Sequence, residues 1–138
     1  MKKYFVVDAG PIVGSIDRTD QWNKTATTLF KLLPMPLLTC EAVISECFFL
    51  LGESSRALEA LFGLFATGVL SIEFSLGNEA ANVHGLLQKY HDVPMSLADG
   101  CLVRMSEIFD APVFTFDTDF RIYRRNRRSI IPLIGIDN

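Results

Sequence analysis

Three cysteines, two histidines and five lysines among 138 residues leave little material for several kinds of site. Cys40, Cys47 and Cys101 are odd in number, lack CxxC spacing and sit among apolar residues. They read as buried reduced thiols, which excludes a disulfide scaffold or a zinc centre. His84 and His91 lie seven apart on a polar stretch with no third ligand, so both read as surface residues. Lys89 is the one lysine between Lys31 and the C-terminus, which disfavours acyl-phosphate or receiver chemistry, where a lysine is wanted beside the phosphate. Long apolar runs are missing too. The longest stretch free of Asp, Glu, Lys and Arg is Ala60 to Ile72, 13 residues, where a spanning helix needs about 20. After Met1-Lys2-Lys3 the run Tyr4 to Val7 is cut by Asp8, short of the ~7–15 residues of a secretory core. The chain reads as cytoplasmic, with no membrane partner. No repeat, low-complexity tract or linker interrupts it, so residues 1–138 read as a single domain.

Hydrophobic residues make up 49% of the chain, ample for a core. Sixteen acidic against 13 basic residues give a net charge of −3, at first sight an argument against a nucleic-acid partner. The pattern along the chain alternates strands and helices. Lys3 to Val7 reads as a buried strand ending in the turn Asp8-Ala9-Gly10-Pro11. Trp22, Ala26, Leu29, Phe30 and Leu33 recur at helical steps behind an Asp20 cap, and Pro34 ends that helix. After Leu37-Leu38, Thr39 is placed to cap a helix from Cys40 to Leu51, stopped by Gly52. Further helices are predicted from Ser54 or Ser55 to Ala66, from Asn78 to Lys89 and from Leu97 to Phe109. Strands are predicted at Val69–Phe74, Pro112–Phe116 and Ile130–Ile134. Such alternation implies a parallel sheet with helices on both faces and a ligand site at the carboxyl ends of the strands.

The acids stand where solvated charges are not expected. Asp8 and Asp117 each follow a buried strand and would meet at one sheet edge. Ser96 is placed to cap the helix from Leu97, which puts Asp99 in its first turn, able to face the same edge. Glu46 sits among Val43, Ile44, Cys47, Phe48, Leu50 and Leu51, a segment apolar almost all round, and so is expected to be buried. Each acid alone is ordinarily an unremarkable surface or end-of-strand charge. Together, with no four basic partners at matching places, they form a set of hard oxygen donors suited to Mg²⁺ or Mn²⁺, the chemistry of phosphodiester hydrolysis.

The pattern resembles the PIN-domain family, in particular the VapC-type ribonucleases of toxin–antitoxin pairs. The resemblance spans essentially the whole chain. It rests on the strand ending in Asp8, on Val43-Ile44-Ser45-Glu46, on Ser96-Leu97-Ala98-Asp99, and on the segment Val113 to Phe120 with Thr115, Asp117 and Asp119. It implies a three-layer α/β/α sandwich with a mainly parallel sheet, and an endoribonuclease using one or two Mg²⁺ or Mn²⁺ ions to leave 5′-phosphate and 3′-hydroxyl ends. Asp8, Glu46 and Asp99 match the core metal-binding acids, Asp117 the fourth, and Asp119 an acid that could share its role. Thr115 matches a hydroxyl that orients a water or a carboxylate. Ala9 stands where many members carry Thr or Ser, and Gly100 where Ala is usual. The resemblance further implies an RNA substrate, an antitoxin partner and a homodimer. The alternatives are a PIN-fold RNA-processing nuclease without an antitoxin, or a non-catalytic binding module.

Arg121, Arg124, Arg125, Arg127 and Arg128 fall within eight positions just after the last acids. They suggest an electropositive lip for RNA, with Tyr123 available to stack on a base. The competing reading is a solvated loop, or arginines that neutralise the carboxylates. Leu58, Leu61, Phe62 and Phe65, with Phe48, Phe49 and Leu51, read mainly as core; any exposed part would suit an antitoxin helix.

Overall fold

The apolar run that opens the chain pairs for only two residues. The computed structural model describes residues 3–137; Met1 and Lys2, part of the leader-like start, lie outside the described residues. Val6–Val7 forms β1, which lies between β2 (Leu37–Thr39) and β4 (Val113–Phe114); β3 (Leu70–Ile72) adds beyond β2, and β7 (Leu133–Ile134) beyond β4. All four pairings are parallel, with Val6 opposite Leu38 and Val113, and Val7 opposite Phe114. Both residues of β1 are fully buried, as a central strand covered on two faces requires. The fold is the expected α/β/α sandwich around a parallel sheet.

Among the described residues six helices cover the sheet: α1 (Ala9–Ile16), α2 (Asn23–Leu32), α3 (Glu41–Leu51), α4 (Ser55–Ala66), α5 (Leu76–Lys89) and α6 (Leu97–Ile108). The caps at Ser54 and Ser96 are where the sequence places them, and Ser96 with Asp99 makes a reciprocal capping box. Gly100 has a packing role: a Cβ there would lie 3.3 Å from Leu87 and 3.4 Å from Val83, so its absence lets α5 close against α6. No helix among the described residues is long and apolar enough to cross a membrane.

Several elements differ from the sequence reading. Asp8-Ala9-Gly10-Pro11 is the start of α1, not a turn, because Asp8 caps the helix and a proline in the first turn loses no helical hydrogen bond. Asp20 does not cap α2; its carboxylate accepts from Trp22 N–H in the loop before it. Thr39 belongs to β2, where its hydroxyl donates to the Val7 carbonyl, and Cys40 is the capping residue of α3. The predicted strand Ile130–Ile134 is divided by Pro132. Ser129–Ile130 forms β6, which pairs antiparallel with β5 (Arg124–Arg125), and only Leu133–Ile134 joins the main sheet. Asn126 and Arg127, both at positive φ, turn that hairpin. The arginine run is therefore an ordered hairpin.

Candidate active site

Asp8 is held at the carboxyl end of β1 by both of its oxygens. Its backbone N–H donates to Phe114, one carboxylate oxygen accepts from Ala9 N–H at 2.7 Å, and the other from Thr115 Oγ1 at 2.7 Å. Thr115 in turn accepts from Asp117 N–H at 3.0 Å. A single buried hydroxyl thus joins the ends of β1 and β4 and sets the entry to the Asp117 loop. A short 3-10 turn (Thr118–Arg121) follows, its first amide bonds satisfied by the Asp117 carboxylate, which accepts from Asp119 N–H.

Asp99 enters from the first turn of α6. Its carboxylate closes the capping box on Ser96 N–H at 3.3 Å and accepts from the Tyr123 hydroxyl at 3.0 Å. Glu46 projects from α3 beside the buried Val43 and Cys47, and is half-buried. The expectation of a fully buried α3 is corrected here: Phe48, Phe49 and Leu50 are exposed, Phe49 at 87%. That helix is apolar on its outer side as well as its inner one.

Asp8, Glu46, Asp99, Asp117 and Asp119 all line one open cleft of about 610 Å³. Asp17 and Asp20, from the loop between α1 and α2, line it as well. Among the described residues, no lysine or arginine lines the cleft, so its acids meet no opposing charge from them there. Burial pushes the Asp8 carboxyl up to about 7, and the charges of Asp99 and Glu46 add to that against the hydrogen bonds from Thr115 and Ala9. Glu46 is raised by its own desolvation and then by the charge of Asp99. Asp99 is raised by burial, with Asp117 adding to it and the Ser96 and Tyr123 hydrogen bonds opposing. Carboxylates that raise one another in this way form an anionic site suited to a hard cation. It is a gathering of donors and not a finished cage: among the described residues, no three Asp, Glu, His or Cys side chains are grouped to hold one ion.

The basic run does not line this cleft. Arg124 donates to the carbonyls of Arg121, Ile122 and Tyr123. Arg125 donates to the Ser106 carbonyl and pairs with Asp110 at 2.9 Å. Arg121 bonds the Asp137 carbonyl; Arg127 and Arg128 are exposed at the hairpin tip. Tyr123 is not available to stack on a base, since it is fully buried, edge-on to Tyr90 and Phe120. Phe120 and Tyr123, three apart in an otherwise charged segment, were the signal for that inward face. The cleft also takes in Trp22, Phe116 and Ser96, which the sequence reading did not place there. His84 and His91 lie outside it, both exposed.

Tyr123→Phe keeps the buried ring and removes only the hydroxyl. We expect this variant to fold normally and to lose about 10–100-fold of any metal-dependent activity, the usual cost of freeing a supporting hydrogen bond on a ligand. Metal titration against the wild type checks it, and unchanged affinity and activity would show that Asp99 needs no such support.

No family model matches the sequence, and no curated protein matches it. Among solved structures, the chain is similar to the crystal structure of Mycobacterium tuberculosis VapC20, a sarcin-ricin loop cleaving toxin. The TM-score is 0.77 and the identity 20%, over 94% of this chain and 100% of that one. At that identity the likeness is one of fold, and the fold is the PIN-type sandwich that the sequence led us to expect.

Proposed function

We propose that the protein is a metal-dependent endoribonuclease, the toxin of a toxin–antitoxin pair. The observation that carries the reading is the convergence of Asp8, Glu46, Asp99 and Asp117 on one cleft at the carboxyl ends of parallel strands, with no basic side chain lining it among the described residues. The likeness in fold to an RNA-cleaving toxin supports it. Asp8, Glu46 and Asp99 would hold one or two Mg²⁺ or Mn²⁺ ions, with Asp117 or Asp119 completing the set. When bound, such an ion polarises the scissile phosphate and makes a hydroxide nucleophile accessible near neutral pH.

The chain's own residues do the rest. Thr115 holds the carboxylate of Asp8, and Tyr123 that of Asp99, so that two acids lining the cleft are aimed before RNA arrives. Asp117 is exposed and its backbone is tied to Thr115, which supports its part in completing the metal-binding set beside Asp8. The exposed Phe48, Phe49 and Phe62 on α3 and α4 form the apolar face that supports an antitoxin helix as partner, whereas Leu61 of the same cluster belongs to the core.

Cleavage of a structured RNA in Mn²⁺ tests the reading. Wild type is expected to cut, with Asp8→Asn and Asp99→Asn inert; if all three behave alike, the metal-nuclease reading is wrong.

A further inference from the structure

Trp22 is the single tryptophan of the chain, and the sequence pattern assigns it to the apolar face of a helix. It sits instead at the capping position of α2, 37% exposed, at the wall of the acidic cleft. Its ring lies on that of Phe116, with centroids 4.7 Å apart and planes within 15°. Among the described residues, Trp22 and Phe116 are the only aromatic side chains lining the cleft.

We infer that the Trp22–Phe116 stack is a platform on which an unpaired RNA nucleobase rests, positioning the strand for the acids beside it. The inference deepens the nuclease reading and rests on it. Two features of the cleft point to a base. Among the described residues no lysine or arginine lines it, so these side chains offer no direct cationic hold on phosphates there. Stacking on an aromatic face is a strong contact that side chains can make with single-stranded nucleic acid, and it requires no charge.

The platform is also preorganised. Trp22 N–H donates to the Asp20 carboxylate at 2.8 Å, the Trp22 carbonyl accepts from Ala26 N–H, and Asn23 ties the loop to the Gly14 carbonyl. Phe116 is set edge-on against the buried Phe114 and directly precedes Asp117 in the chain. A base on Trp22 therefore lies beside the segment that carries Asp117 and Asp119. The wider π-face of a purine overlaps an indole more fully than a pyrimidine does, so purines are the preferred occupants.

Because Trp22 is the sole tryptophan, its fluorescence reports on this wall alone. Titrating the wild-type protein with oligoadenylate in Ca²⁺ should quench it saturably. Oligouridylate should quench less, and an abasic oligonucleotide of equal length not at all. In cleavage assays with Mn²⁺, Trp22→Ala should raise KM about tenfold, or ~1.4 kcal/mol, with kcat within about threefold, and Trp22→Tyr should restore most of the loss. Equal quenching by the abasic strand overturns the platform. So does an unchanged KM in Trp22→Ala while Asp8→Asn is inert, a result that leaves the nuclease reading standing. Base-dependent quenching in a protein that cuts no RNA sustains the platform and removes the nuclease. The wild-type titration decides even where Trp22→Ala folds poorly.

Discussion

Asp8→Asn should abolish RNA cleavage and, without divalent metal, make the protein more stable at pH 8. Both effects have one origin. Asp8 is 7% exposed, and its carboxyl is raised from 3.8 to about 7, chiefly by burial. In the unfolded chain the same group ionises near 3.8, so between about pH 4 and 7 the unfolded state sheds a proton that the native state keeps. Stability therefore falls as pH rises through that window and stays low above it. Asparagine carries no charge at any of these pH values, so its advantage is absent below pH 4 and complete above pH 7. The ceiling is ~4 kcal/mol; even half of that raises Tm by several degrees in a domain of this size. Activity should drop about a thousandfold or more, since several kcal/mol of transition-state stabilisation depend on the cation that Asp8 would help to hold. Thermal denaturation at pH 4, 6 and 8, with EDTA or Mn²⁺, reads both halves. Mn²⁺ should raise the wild-type Tm more at pH 8 than at pH 5.5 and barely move the Asn variant. A variant less stable than wild type at pH 8 in EDTA would show that the Asp8 carboxylate is not a strained group.

Gly135→Ala, at a position that does not line the cleft, should be nearly as damaging. Gly135 follows β7 with φ at +100°, a conformation that side chains rarely adopt. An added Cβ would lie 2.6 Å from the Thr115 carbonyl oxygen, and 3.1 and 3.3 Å from the rings of Phe116 and Phe114. Backbone must move to relieve the first of these, and that backbone carries the hydroxyl that holds Asp8. We expect a loss of ~3–4 kcal/mol, from strained φ together with overpacking. Cleavage should fall further than the stability loss explains. A wild-type melting curve with wild-type cleavage would show that the two segments separate at no cost.

What the sequence disclosed follows from which forces act locally. Ser54, Ser96 and Asp99 were legible because capping is a relation between residues three apart. Asp8 stood out because a carboxylate ends a run of buried apolar residues. Helix α1 was hidden because Ala9-Gly10-Pro11 is turn chemistry, and only the Asp8 cap and the buried Ile12 and Val13 convert it to helix. The role of Tyr123 is hidden in the sequence because it stands in a run of arginines, whereas its partner is Asp99, 24 residues away. Nor could periodicity show that Asp17 and Asp20 face the same cleft as Asp8, because their loop follows a helix that the pattern did not reveal.

The Thr115 hydroxyl that steadies Asp8 comes from 107 residues later in the chain. During synthesis at ~5–20 residues per second, Asp8 is added to the chain about 5–20 s before Thr115. Tyr123, the support of Asp99, follows later still. The nascent chain therefore carries Asp8, Glu46 and Asp99 with neither β4 to aim the first nor Tyr123 to aim the last. Thr115 and Tyr123, the two supports, are thus both made after the three acids, so the aiming of Asp8 and Asp99 is a late event in synthesis.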